Sequence, residues 1–81
     1  MKKLSAKQER ILKSVGKRIR KLRIESGYSG YDHFAWEHKL SRSSYFKLEQ
    51  GRSPNLISII RILEIHQISL SDFFKDIEQD S

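Results

Sequence analysis

The chain has 81 residues, no cysteine, and 16 Lys/Arg against 10 Asp/Glu, for a formal net charge of +6. That length holds one small domain with one modest core, and the missing cysteines exclude disulfide scaffolds, zinc fingers and thiol chemistry. No apolar run is long enough to span a bilayer and no signal-peptide core follows Met1-Lys2-Lys3, which predicts a cytoplasmic protein without a membrane partner. The first predicted element is a long amphipathic helix that opens near Ser5 and stops before Gly27. Ile11 or Leu12, Val15, Ile19 and Leu22 recur at three- and four-residue steps, with Lys and Arg between them. Gly16 is expected either to weaken this helix slightly or to mark where a looser N-terminal extension joins the packed part. Gly27 ends the helix as a left-handed residue past its last turn.

A second helix is predicted after Ser29, where Ser29 and Asp32 are spaced as a capping-box-like pair and Phe34, Ala35 and His38 share one face. After the short link Lys39-Leu40, Ser41 is placed as the N-cap of a third helix running to Gln50, and Gly51 stops it. Asn55, following Pro54, caps a fourth helix carrying Leu56, Ile59, Ile60 and Leu63, with Ile62 as a further core candidate. A fifth, short helix begins at Ser69, with Asp72 three residues on, and is expected to bury Leu70, Phe73 and Phe74. No stretch alternates with period two for long enough to suggest a strand. The expected fold is therefore all-α, with five helices joined by short links.

Charge is distributed unevenly along these elements. Residues 1–26 carry ten Lys/Arg against Glu9 and Glu25, whereas residues 69–81 carry Lys75 against Asp72, Asp76, Glu78 and Asp80. A basic end and an acidic end suit a polyanion approached from one side. The second and third helices form the tightest predicted pair. Ala35 allows close approach, Leu40 anchors the turn, and Tyr45 and Leu48 turn one side of the third helix toward the core. Its other side presents Arg42, Ser43, Phe46, Lys47 and Gln50, which offer donors, one aromatic ring and no acid. Such a face suits the major groove, where Arg or Lys donates to guanine O6/N7 and an apolar ring touches a thymine methyl.

The spacing Phe34-Ala35, Leu40-Ser41-Arg42-Ser43, Tyr45, Leu48-Glu49 and Gly51, then Pro54-Asn55-Leu56 and Ile68 to Phe74, resembles the phage-repressor and Cro-like helix-turn-helix domains, the xenobiotic-response-element-like group. The resemblance covers about Val15 to Phe74. It implies a compact five-helix lambda-repressor-like domain with a long basic first helix: a basic N-terminal helical extension over 1–14, the helix-turn-helix DNA-binding domain over 15–77, and a tail over 78–81. It also implies a transcriptional regulator, expected to be a repressor, that binds double-stranded DNA as a homodimer and needs no cofactor. By position, Arg42, Ser43 and Lys47 would read bases, with Phe46 at a neighbouring groove-facing site. Ser29, Gly30 and Tyr31 at the start of the second helix would grip phosphates. So would Ser41 and Gln50 at the two ends of the third helix, and Arg52 and Ser53 in the loop after it. Arg23 and Glu49 fall where similar repressors carry a structural ion pair.

The chain also departs from that pattern. The loop from Gly27 to His33 is one residue longer, and Gly30 stands near a common DNA-contacting glutamine, so the grip there is either lost or passed to Tyr31. Lys39 replaces the usual turn glycine, at modest cost if it adopts a left-handed conformation. His66 and Gln67 replace an apolar residue and a glycine.

Other chemistries find little support in the sequence. His33, Glu37 and His38 lack zinc-binding spacing, and His38 and His66 read as partly buried core residues. No phosphate loop, nucleophile elbow or catalytic carboxylate pair is present, so no enzyme and no metal site are expected. Trp36 would either cover part of the first helix or lie exposed, with an interface as a lesser role. The alternative function is an antitoxin-like or other protein-interaction module, in which the same domain binds a protein partner. For a homodimer, the fifth helix with Phe73, Phe74 and Ile77 is the first candidate surface and the basic first helix the second.

Overall fold

The computed structural model describes residues 3–52, 54–75 and 77. Ser53 and the tail over 78–81 lie outside the described residues. The described chain forms five helices and no strand, within extents of 35 × 28 × 21 Å.

Helix α1 (Ala6–Glu25) is opened by a full capping box. The Gln8 amide donates to Ser5 Oγ at 3.1 Å, and the Ser5 amide donates to Gln8 Oε1 at 2.9 Å. Val15 and Ile19 are buried along its inner face, and Leu22 packs against the core from its edge. The helix runs unbroken through Gly16. This glycine neither loosens the helix nor marks a joint; it lets the helix touch its neighbour. A Cβ built there would stand 2.5 Å from the Glu49 carbonyl oxygen and 2.8 Å from that of Leu48. Sequence periodicity does not reveal that a second backbone crosses at Gly16. Gly27, at φ +100°, turns the chain away.

Helix α2 (Tyr31–Glu37) starts one residue later than Ser29 would have it. Gly30 is its N-cap and supplies no side-chain bond, so the Ser29–Asp32 capping box does not form. The Asp32 carboxylate instead accepts from the His33 amide at 2.9 Å. Ala35 is fully buried, and its carbonyl accepts from the Leu40 amide at 2.8 Å across the turn. Lys39 carries the left-handed conformation of that turn, at φ +58°.

Helix α3 (Arg42–Glu49) is capped by Ser41 and ends at Gln50, with Gly51 at φ +75° beyond it. Helix α4 (Leu56–His66) is capped by Asn55, whose Oδ1 accepts from the Ser58 amide at 2.9 Å. Its core residues are Ile59, Ile62 and Leu63. Ile60 is only partly buried, and Leu56, in the opening turn at the margin of the core, is 61% exposed. Gln67 ends α4 in the left-handed region at φ +56°.

In helix α5 (Leu70–Lys75), Ser69 Oγ accepts from the Asp72 amide at 3.1 Å. Phe73 is fully buried and Phe74 partly so, whereas Leu70 is 45% exposed rather than buried. Phe73 and Ile77 lie inside the chain's own core, so they cannot form the dimer surface read from the sequence.

Phe34 is the aromatic centre of the core. Its ring lies 5.2 Å from that of Tyr28, 5.1 Å from Tyr45, 4.6 Å from His38 and 5.4 Å from His66, with the last pair stacked. Burial, then the nearby His38, lowers the His66 pKa below its ordinary value of 6.5. A base with a depressed folded pKa takes up its proton more readily in the unfolded chain, so stability is complete above the ordinary value and falls as pH drops beneath it. The thermal midpoint should decline as pH is lowered from about 7 to about 5, and His66→Leu should flatten that decline. Parallel pH curves for the two proteins would remove His66 as the cause.

Candidate nucleic-acid interface

The third helix exposes the side predicted from its sequence. Tyr45 and Leu48 are buried, while Arg42, Ser43, Lys47 and Gln50 are exposed. Phe46 departs from this pattern. It is partly buried, with its ring 4.9 Å from that of Tyr31 at the start of α2. Two residues assigned separately, one to bases and one to phosphates, are therefore one packed aromatic pair that joins α2 to α3. A ring covered on one side by Tyr31 offers only its remaining edge to any partner.

The flanking candidates divide by location. Ser29 is exposed, Gly30 partly buried, and Tyr31 is held against Phe46. Ser41 is exposed, and its Oγ accepts from the Ser44 amide at 3.4 Å, so it caps α3 whatever else it does. Arg52 is exposed, and its amide donates to the Lys47 carbonyl at 2.9 Å, which closes the C-terminal end of α3. Arg42, Ser43 and Lys47 thus share one side of α3, and Gln50 and Arg52 stand at its C-terminal end. Ser29, Gly30 and Tyr31 lie at the other helix of the pair.

What holds α3 in this position is buried. Arg23 Nε donates to Glu49 Oε2 at 2.6 Å and Nη2 donates to Oε1 at 3.0 Å, a two-pronged bond between α1 and α3. The two side chains are 5% and 4% exposed. The remaining prong of Arg23, Nη1, donates to the Tyr28 carbonyl at 2.9 Å, so the guanidinium also fixes the loop before α2. The Glu49 hydrogen bond, opposed by burial, keeps the Arg23 pKa above its ordinary value. The Tyr45 phenol, buried and near the Glu49 carboxylate, is also pushed up and stays neutral. The spacing did not signal that Arg23 also reaches the Tyr28 carbonyl.

His33 and Glu37 approach at 3.7 Å on the exposed side of α2, and Glu37 also accepts from the Tyr28 hydroxyl. Among the described residues no three His, Cys, Asp or Glu side chains gather in a metal-binding arrangement. Trp36 lies exposed, at 77%. No helix of the described residues is long and apolar enough to cross a membrane. Compared with known protein families, characterised proteins and solved structures, the chain matches none.

Proposed function

We propose that the chain is a sequence-specific double-stranded DNA-binding regulator of the phage-repressor/Cro-like kind, with α2, its turn and α3 as the helix-turn-helix. The observation that carries this reading is the outer side of α3. Arg42, Ser43, Lys47 and Gln50 are exposed together without an acid among them, on a helix tied from behind by a buried Arg23–Glu49 pair. An exposed face on a rigid mount is what major-groove reading requires, since donors must meet base edges in a fixed register. In this reading Arg42, Ser43 and Lys47 read bases, with Phe46 contributing its open edge beside them. Gln50 and Arg52 hold phosphates at the C-terminal end of α3, and Ser41 does so at the other end.

The two kinds of contact predict different mutants. Arg42→Ala should relax the preference for one base position, by about 1–3 kcal/mol of discrimination. Arg52→Ala should weaken all sequences alike and reduce the slope of log K against log salt by about 1. The measurement is binding to duplexes selected from a random pool and to random duplex, across a salt series. Matching behaviour of the two variants across sequences would dissolve the assigned roles. A repressor of this kind would act as a homodimer on half-sites about 34 Å apart. With Phe73 and Ile77 buried, its dimer contact must use other residues.

The second reading is an antitoxin-like or other protein-interaction module, in which Trp36, 77% exposed on α2, would be a contact residue. An antitoxin-like module would show no salt-sensitive retention on random duplex DNA if it had given up that activity.

A further inference from the structure

The N-terminal part of α1 is docked rather than free, and its place of docking suggests what it does. A Cβ built on Gly51 would lie 2.9 Å from both the Leu12 carbonyl oxygen and Lys13 Cα, so the turn after α3 touches the backbone of α1 directly. A surface cleft of about 330 Å³ runs along this contact, lined by Leu12 and Lys13 on one side and by Gln50, Gly51 and Arg52 on the other. Gly16, one turn further on, meets the last carbonyls of α3.

Lys13, Lys17 and Arg20 follow i, i+4, i+7 spacing and form one ribbon on the helix surface. Lys13 and Arg20 bracket Gly16 at three and four residues, so the ribbon borders the seam between α1 and α3. All three side chains are exposed. From Lys13 to Arg20 the helix rises about 10 Å, comparable to three nucleotides of one DNA strand at about 3.4 Å each. Glu9 also lines the cleft and would repel a phosphate, which sets the outer end of the ribbon at Lys13.

We infer that Lys13, Lys17 and Arg20 form a second phosphate-binding ribbon that continues from Gln50 and Arg52, so that α1 extends the footprint of the protein along the DNA backbone. This rests on the DNA-binding reading of α3 and adds a surface to it. The contacts are to phosphates only. They strengthen binding to every sequence and leave the base preference to α3.

The test compares two triple variants with the same loss of charge. One replaces Lys13, Lys17 and Arg20 by Ala; the other replaces Lys7, Arg61 and Lys75, which are exposed but lie off the ribbon. On random-sequence duplex, the ribbon variant should flatten the slope of log K against log salt by about 2–3, at about 0.9 per phosphate, and the control variant by less than about 1. The ratio of affinities for selected and random sequences should not change in the ribbon variant. Duplex DNA should also protect Lys13 and Lys17 of the unaltered protein from acetylation, and leave Lys7 and Lys75 reactive. Equal slopes for the two triples, or equal reactivity of the four lysines, would overturn the ribbon while leaving α3 intact. Loss of all salt-sensitive binding by the unaltered chain would overturn the DNA reading itself.

Discussion

Glu49→Ala is expected to destabilise the fold by about 3–5 kcal/mol, the usual consequence of stranding one member of a buried ion pair. The Arg23 guanidinium would keep its bond to the Tyr28 carbonyl and lose both bonds to the carboxylate, in surroundings where its side chain is 5% exposed. It cannot escape by losing its proton, because an arginine stays charged at any workable pH. A domain of this length has about 4–12 kcal/mol of total stability, so the single variant would sit near its unfolding limit at ordinary temperature. Replacing both partners, as Arg23→Met with Glu49→Leu, should recover most of the loss, since no unpaired charge then remains. Urea unfolding of the parent, the single and the double variant separates these outcomes. A loss below about 1 kcal/mol for Glu49→Ala would class the pair with solvent-exposed bridges and remove it as the mount of α3. The double variant also probes function. In the DNA reading, α3 would then be folded but less firmly registered, and discrimination between sequences should fall more than overall affinity.

The order and number of helices were readable because their ends are marked by local chemistry. Ser41, Asn55 and Ser69 each cap a helix through their own side chains, and Gly27 and Gly51 take the positive φ that ends one. Lys39 takes a left-handed φ of +58° between α2 and α3 without being glycine. Ser29 with Asp32 had the spacing of a cap and forms none, because Gly30 occupies the capping position. Periodicity also identified Ile19, Tyr45, Leu48 and Phe73 as inward-facing. It says which face turns inward but not how far the neighbouring helices reach, which is why Leu56 and Leu70 emerge exposed. The outer side of α3 was legible as residue types and spacing. The Tyr31–Phe46 contact was not, because it joins two helices whose relative placement no local pattern encodes. The basic character of α1 was plain from its composition, but the side of it that faces the turn after α3 became visible only with the backbone contact at Gly51.

That same dependence on a crossing backbone makes Gly16→Ala the most informative small change in the chain. In the middle of an ordinary helix, glycine to alanine stabilises by about 0.8–1 kcal/mol, because the unfolded chain loses freedom and the helix loses none. Here the sign should invert. The added methyl would lie 2.5 Å from the Glu49 carbonyl oxygen, 2.8 Å from that of Leu48 and 2.9 Å from the Glu49 carbonyl carbon. All three are backbone atoms, so no side chain can rotate aside, and α1 and α3 must separate. Overpacking of this kind typically costs about 1–3 kcal/mol, and a larger residue such as valine should cost more. Gly30→Ala is the useful comparison. Its nearest contact, at 3.0 Å, is the Asp32 carboxylate oxygen, the far end of a side chain that can move. Thermal or urea unfolding should therefore place Gly16→Ala well below the parent and Gly30→Ala close to it. A Gly16→Ala protein as stable as the parent, or more so, would mean that the seam between the helices yields freely. The Arg23–Glu49 pair spans the same seam two turns further along α1. Forcing the helices apart at Gly16 should consequently weaken that pair as well, so the costs of Gly16→Ala and Glu49→Ala should add to less than their sum when combined.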